Sequence, residues 1–446
     1  MSVLTISIVA VFVIGYFCIA LEGGLKVNKS AIALLMCVAC WTLYMVSPMD
    51  FILQADPSYS GGDAGMMDRI GDILKLHLGE TAETLFFLMG AMTIVEVVDR
   101  NGGFKFVRER MKSKSKRALL WKIAFTTFFL SAILDNLTTS IVMIIVLKKL
   151  LQKRSDRLIY ASLVIIAANS GGAFSPIGDV TTIMLWIGNM ITTPGVMSEV
   201  FLPSLVSMAI PAFIMQFMVS GNLDCEGICP DEDVCEFTKI QRRIIFFLGV
   251  GGLMFVPVFR TLTELPPFMG ILLVLGLLWT VTELFYRGKG SASNRVGKLL
   301  SRIDMSTILF FLGILMAVAC LEEIGILKGL GIWLNDVSSG NHYLVTGIIG
   351  VVSSIVDNVP LVAGCMGMYP IAEVGDMAVD GIFWQLLAYC AGVGGSMLII
   401  GSAAGVVIMG LEKISFGWYL KHISWIALVG YLAGIFVYWI QRVIFF

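Results

Sequence analysis

The sequence predicts an all-α polytopic membrane protein made of two inverted-topology repeats, each with a re-entrant hairpin and an interrupted helix. Three observations predict it. The 446-residue chain is 57% hydrophobic and 14% charged, whereas a soluble protein carries about 25% charged residues. Apolar stretches of about 20 residues, long enough to cross about 30 Å of hydrocarbon, recur along it. The dipeptide Asp-Asn occurs twice inside apolar runs, as Asp135-Asn136 and Asp357-Asn358. A carboxylate in mid-span costs about 2.5–3.5 kcal/mol on insertion scales, so two in matching contexts point to one polar site rather than to packing.

The elements follow in order. In the first half, 1–220, spans fall at 2–20, 30–47, 81–99 and 200–220, with a hairpin at 119–150 and a broken helix at 158–190. In the second half, 242–446, spans fall at 242–259, 268–286, 304–323 and 418–440, with a hairpin at 344–369 and a broken helix at 382–410. Each arm of the stretches bearing the Asp-Asn pairs is only about 14 residues long, which suits a re-entrant hairpin. Residues 2–20 lack a basic leader and a cleavage site, so they are read as a span. Residues 221–241 form an acidic linker carrying Cys225, Cys229 and Cys235, whose spacing matches no standard zinc pattern. The bland reading, a solvated linker, is preferred there.

Charge sets the orientation. Loop 100–118 holds eight basic residues against Glu109, and loops 148–157 and 287–303 are also basic. All three fall on one side, taken as cytoplasmic. Loop 48–80 is acidic and falls outside, as do both termini; the acidic linker falls inside, against the trend. With a net charge of −1, no nucleic-acid partner is expected.

Beyond the Asp-Asn pair, Ala168-Asn169-Ser170-Gly171-Gly172 aligns with Ala391-Gly392-Val393-Gly394-Gly395, and Ile177-Gly178 with Ile400-Gly401. The offset there is 223, against 222 between Asp135 and Asp357, which is the signature of a repeat. By the topology above, one copy starts outside and the other inside. Inverted repeats with interrupted helices are the build of secondary transporters.

Polar chemistry concentrates at the breaks. Asp135, Asn136, Thr138 and Thr139 supply a carboxylate, an amide oxygen and two hydroxyls, hard donors suited to an alkali or alkaline-earth cation rather than a soft metal. Asn169, Ser170, Ser175, Asp179, Thr181 and Thr182 decorate the second break, where three glycines and Pro176 interrupt the helix. Asp179 has no acidic counterpart, because Ser402 stands in its place, so the site is asymmetric. The run from Gly392 through Ser396 to Gly405 offers small residues and hydroxyls without charge. Glu96, Glu322 and Glu323 lie near helix ends, and His77, His342 and His422 in or near loops, so none is expected at the centre. A capped turn or a glycine packing seam would explain single elements; it does not explain the duplicated acids.

The pairing of Ser-x-x-x-Asp-Asn with Asn-Ser-Gly-Gly-x-x-Ser-Pro-x-Gly-Asp-x-x-Thr resembles the NhaD-type sodium/proton antiporters, over roughly residues 80 to 440. They belong to the ion transporter superfamily, with arsenite pumps and dicarboxylate transporters. The resemblance implies an ion site from Asp135, Asn136, Thr138, Thr139, Asn169, Asp179, Thr181 and Thr182 in the first half. Ser353, Asp357, Asn358, Gly392 and Ser396 would contribute from the second, with Na⁺ held at Asp135, Asn136, Asp179, Asp357 and Asn358. It implies exchange of cytoplasmic Na⁺ or Li⁺ for external H⁺ across a bacterial inner membrane, with no enzymatic activity and no cofactor. A homodimer is one expected assembly. Two rivals are weighed: transport of arsenite or a carboxylate, disfavoured because the breaks hold three acids and no Lys or Arg, and an intramembrane aspartyl protease, suggested by paired acids but not by the long repeat.

Overall fold

The computed structural model describes residues 3–20, 27–55, 63–104, 111, 113, 115–219, 221, 237–287, 296–355 and 357–445. Among them the secondary structure is helical, with one isolated bridge between Ala372 and Ala378. The first helices are α1 (Val3–Ala20), α2 (Lys29–Tyr44), α3 (Pro48–Ala55) and α4 (Asp63–Arg100). Next come α5 (Lys116–Leu134), α6 (Asn136–Leu150), α7 (Arg154–Ala173), α8 (Val180–Ile187), α9 (Thr193–Glu199) and α10 (Phe201–Met215). After α11 (Lys239–Thr263) and α12 (Pro267–Tyr286) a short turn at Val296–Leu299 leads to α13 (Met305–Glu323) and α14 (Ile326–Ser338). The chain ends with α15 (His342–Ser353), α16 (Asn358–Met368), α17 (Ile382–Gly394), α18 (Ala403–Glu412), α19 (Phe416–His422) and α20 (Ser424–Phe445). Seven described stretches are long and apolar enough to cross a bilayer, the longest being Gly65–Arg100 and Lys239–Thr263. The protein is a multi-pass, all-α membrane protein.

Two stretches depart from expectation. Residues 48–80, read as an acidic loop, are largely helical: α3 occupies Pro48–Ala55, and α4 begins at Asp63 rather than near 81. The cause is amphipathicity. Ile70, Ile73, His77, Thr81 and Thr84 are buried at spacings of three or four, one helical face, while Asp72 and Lys75 pair at 3.5 Å on the exposed face. Mean hydropathy averages the two faces and hides the helix. The second departure is α14, closed by Gly325 and Ser339 with φ of 73° and 54°. Of the acidic linker, only 221 and 237–241 are described; Cys225, Cys229 and Cys235 lie outside the described residues. At its end Thr238 and Gln241 form a capping box that starts α11.

The chain forms two compact units. The first comprises Met1–Met89, Asp304–Asn341 and Val359–Ile371. In it α13 lies so close to α2 that a Cβ on Gly313 would stand 2.7 Å from the backbone of Ala33. Trp41 Nε1 donates to Met316 O at 2.8 Å and Ser30 Oγ to Ser306 O at 2.6 Å, which ties the polar atoms of this crossing. His77 Nε2 pairs with Glu323 Oε1 at 2.8 Å.

The second unit comprises Gly90–Ile303, His342–Asn358 and Ala372–Phe446, and holds both broken helices. Here α7 packs on α5, α6, α10 and α17, and α15 packs on α17. The contacts repeat with the sequence offset. A Cβ on Gly171 would lie 2.1 Å from Phe128 O, and one on Gly394 would lie 2.2 Å from Gly350 O. Ser131 Oγ donates to Ala168 O at 2.7 Å, and Ser353 Oγ donates to Ala391 O at 2.9 Å. Gly178 presses on Ser131 O and Gly401 on Ser354 O. These small residues let backbone meet backbone, as membrane helices require for close packing.

Candidate functional site

The first break is a single residue. Asp135 ends α5 and caps α6 with φ 87° and ψ 157°, a region that side chains avoid and that costs of order 1–3 kcal/mol. Its carboxylate offsets part of this by accepting from Thr138 N at 2.7 Å and Thr138 Oγ1 at 2.8 Å. The strained turn aims the next residue, Asn136, into the core, where it is 6% exposed.

The second break separates α7 from α8. Gly172 lets the turn fold back until a Cβ there would sit 2.5 Å from Gly178 O. Asp179 then caps α8 in extended conformation, accepting from Thr181 N and Thr181 Oγ1, each at 3.0 Å. Ser402 does the same for α18, accepting from Gly405 N at 3.2 Å. The two caps have nearly identical dihedrals, so the breaks are one backbone solution with a carboxylate in one copy and a hydroxyl in the other.

Asp179, only 1% exposed, is the hub. Asn136 Nδ2 donates to its Oδ2 at 2.8 Å and to Asn169 Oδ1 at 3.1 Å. Asn358 Nδ2 approaches both carboxylate oxygens at 3.4 and 3.5 Å. Asn169 Nδ2 donates onward to Ser402 Oγ at 3.0 Å. The Asn of each Asp-Asn pair therefore reaches one carboxylate, linking the two halves of the sequence. Asp135 and Asp357, both half-buried, lie within Coulombic range of Asp179. Gly392 packs beside it: a Cβ there would stand 3.1 Å from Ala173 Cβ and 3.7 Å from Asp179 Oδ2.

Of the other residues singled out in sequence, Thr139 Oγ1 and Thr182 Oγ1 are buried without a hydrogen-bond partner, which makes them open oxygen donors. Thr138 and Thr181 serve the caps. Ser353 and Ser396 spend their hydroxyls on Ala391 O and Val393 O, at 2.9 and 2.6 Å, and are not brought to the hub by those bonds. Ser402, seen in sequence only as the partner of Asp179, joins the network; its signal was the offset alignment. Among the described residues no three Asp, Glu, His or Cys side chains converge to hold a metal ion. The three aspartates are thus not one cage, and amide, hydroxyl and backbone oxygens must complete any shell around a hard cation. Replacing Asn136 by Leu removes a bond to a buried charge, worth about 1.5–3 kcal/mol; a rise of about tenfold or more in the apparent KM for Na⁺ is expected in vesicle assays.

Comparison with known proteins agrees with this architecture. A family model described as "Citrate transporter" matches residues 16–388. The chain is 45% identical over 437 residues to "Sodium/proton antiporter 1" of Arabidopsis thaliana, covering 97% of this chain and 72% of that protein. It is 42% identical over 431 residues to "Sodium/proton antiporter 2" of the same plant, covering 96% and 97%. To "Na(+)/H(+) antiporter NhaD" of Alkalimonas amylolytica it is 31% identical over 473 residues, covering 98% and 91%. The three relatives each match 96% or more of the chain, and the chain accordingly belongs to the NhaD-type sodium/proton antiporters within the family that the citrate-transporter model describes, as a membrane transporter and not an enzyme.

Proposed function

We propose that the chain exchanges Na⁺ or Li⁺ for H⁺, with cation and proton competing for Asp179 and its neighbours Asp135 and Asp357. One observation carries the reading: a fully buried carboxylate at a helix break, reached by amides from both Asp-Asn pairs. Without a cation, the amide N–H groups and a proton are its stabilising partners. With Na⁺, the carboxylate joins the oxygens of Asn136, Asn358, Thr139 and Thr182 around the ion. An occupant of either kind excludes the other, and that suffices to couple two fluxes. Alternating exposure would come from the two repeats, inverted relative to one another, rocking about this site. The relatives' printed activity supports Na⁺/H⁺ exchange. The bacterial relative supports a bacterial inner membrane, and the plant relatives, at higher identity, support a plant membrane as a second reading. Among the described residues no Lys or Arg hydrogen-bonds to Asp179, Asn136, Asn169 or Asn358, which disfavours citrate or another anion in this site.

The test is Na⁺-driven proton movement in proteoliposomes, followed with a pH-sensitive dye. Asp135→Asn and Asp357→Asn are expected to abolish it while the protein still reaches the membrane; undiminished movement in either would overturn the assignment. For one competing proton the sign is fixed. As pH falls the proton-loaded form grows, so the apparent KM for Na⁺ rises, by up to about tenfold per pH unit. A KM indifferent to pH would reject the competition and leave exchange itself standing.

A further inference from the structure

A second polar feature lies in the same unit, at the opposite end of α7 from its break. The start of α7 and the chain between α18 and α19 form an open groove of about 420 Å³, with Leu158 and Ile414 as its apolar lining and Arg154, Ser155, Lys413, Ser415 and Trp418 around them; the two cations and two serines are exposed. The cleft is built, because Arg154 donates to Lys413 O at 3.2 Å and Lys148 to Leu411 O at 3.1 Å. Lys413 itself is held with φ 51° at the end of α18. Carboxylates nearby are already engaged. Glu412, 4% exposed, pairs with Arg157 at 3.1 Å and Lys148 at 3.8 Å, and Asp156 pairs with Lys116 at 2.8 Å. Lys153 gives α7 no side-chain cap, so the positive end of its dipole adds to the field. What faces the groove is therefore net cationic, with two hydroxyls and an indole over an apolar floor of Leu158 and Ile414.

We infer that this cleft binds a phosphate-bearing anion. Two cations, two hydroxyls and an uncapped helix start are the donors a phosphate group uses. Trp418 and the basic loop mark the depth of a membrane interface, where basic pockets between helices take acidic headgroups. The site has a lever on transport. It bridges α7 and α18, and these helices meet again at the other end, where Asn169 of α7 donates to the Ser402 cap of α18. An anion bound in the cleft braces the two broken helices together.

The test reads binding, so its failure is distinct from failure of the exchange reading. The purified protein in nanodiscs is titrated with spin-labelled phosphatidylglycerol in phosphatidylcholine, and separately with inorganic phosphate. Wild type is expected to immobilise the labelled lipid in preference to labelled phosphatidylcholine, and the Arg154→Gln/Lys413→Gln variant to lose that preference by about tenfold. Lys239→Gln, away from the cleft, should keep it and report any general loss of charge. Displacement of the label by millimolar phosphate would assign the cleft to free phosphate, and no displacement to a lipid headgroup. Equal preference in wild type and the double variant, with both still monodisperse, would overturn the inference; if the double variant does not fold, Lys413→Gln alone decides by the same criterion.

Discussion

Asp179→Asn is expected to lower Na⁺-driven proton movement by roughly a thousandfold, to background, with normal amounts of protein in the membrane. An ion pair at about 4 Å with an effective dielectric near 20 is worth about 4 kcal/mol, which sets that scale. Folding is expected to survive, because Asn is as good a helix cap as Asp and can still accept from Thr181 N. It also removes a buried charge that must otherwise be compensated. Asp179→Glu keeps the charge but presses toward Gly392, which packs beside it, so partial activity with a raised KM is expected. Transport by Asp179→Asn at even a tenth of the wild-type rate would show that the hub carboxylate is not the shared ligand.

The second large effect is structural. Gly171→Ala places a methyl group 2.1 Å from the main-chain oxygen of Phe128. No rotamer change relieves a clash with backbone, so α5 and α7 must separate, and overpacking of this kind costs about 1–3 kcal/mol or more. Separation also breaks the bond of Ser131 to Ala168 O and moves both breaks that form the site. A drop in the melting temperature and in the monodisperse fraction is expected in detergent, along with loss of exchange. Gly79→Ala is the control, since nothing lies within 4 Å of that added methyl; helix propensity predicts a gain of up to about 1 kcal/mol. Equal stability of Gly171→Ala and wild type would remove the close crossing from the account.

Much of the candidate site was legible in sequence because its signals are local. Asp135, Asp179 and Asp357 are costly in an apolar run wherever the run goes, and the glycines and Pro176 announce breaks without any knowledge of partners. The repeat offset even identified Ser402 as the counterpart of Asp179. What escaped was directional. Helix α4 begins at Asp63 because one face of a mixed sequence is buried, and mean hydropathy does not see faces. Ser353 and Ser396 were chosen by position, yet their hydroxyls go to carbonyls within or beside α17.

The sequence by itself determined that this is a membrane-spanning helical protein with duplicated broken elements, an acid in each Asp-Asn pair and one unpaired acid between them. Only the tertiary structure decided that the unpaired acid, Asp179, is the hub, and that the asparagines rather than the aspartates of the pairs reach it. Those bonds join residues 43 and 179 positions apart. They depend on the turn at Asp135 and on glycine-to-backbone crossings that set where each side chain arrives, and chain order alone does not encode that convergence.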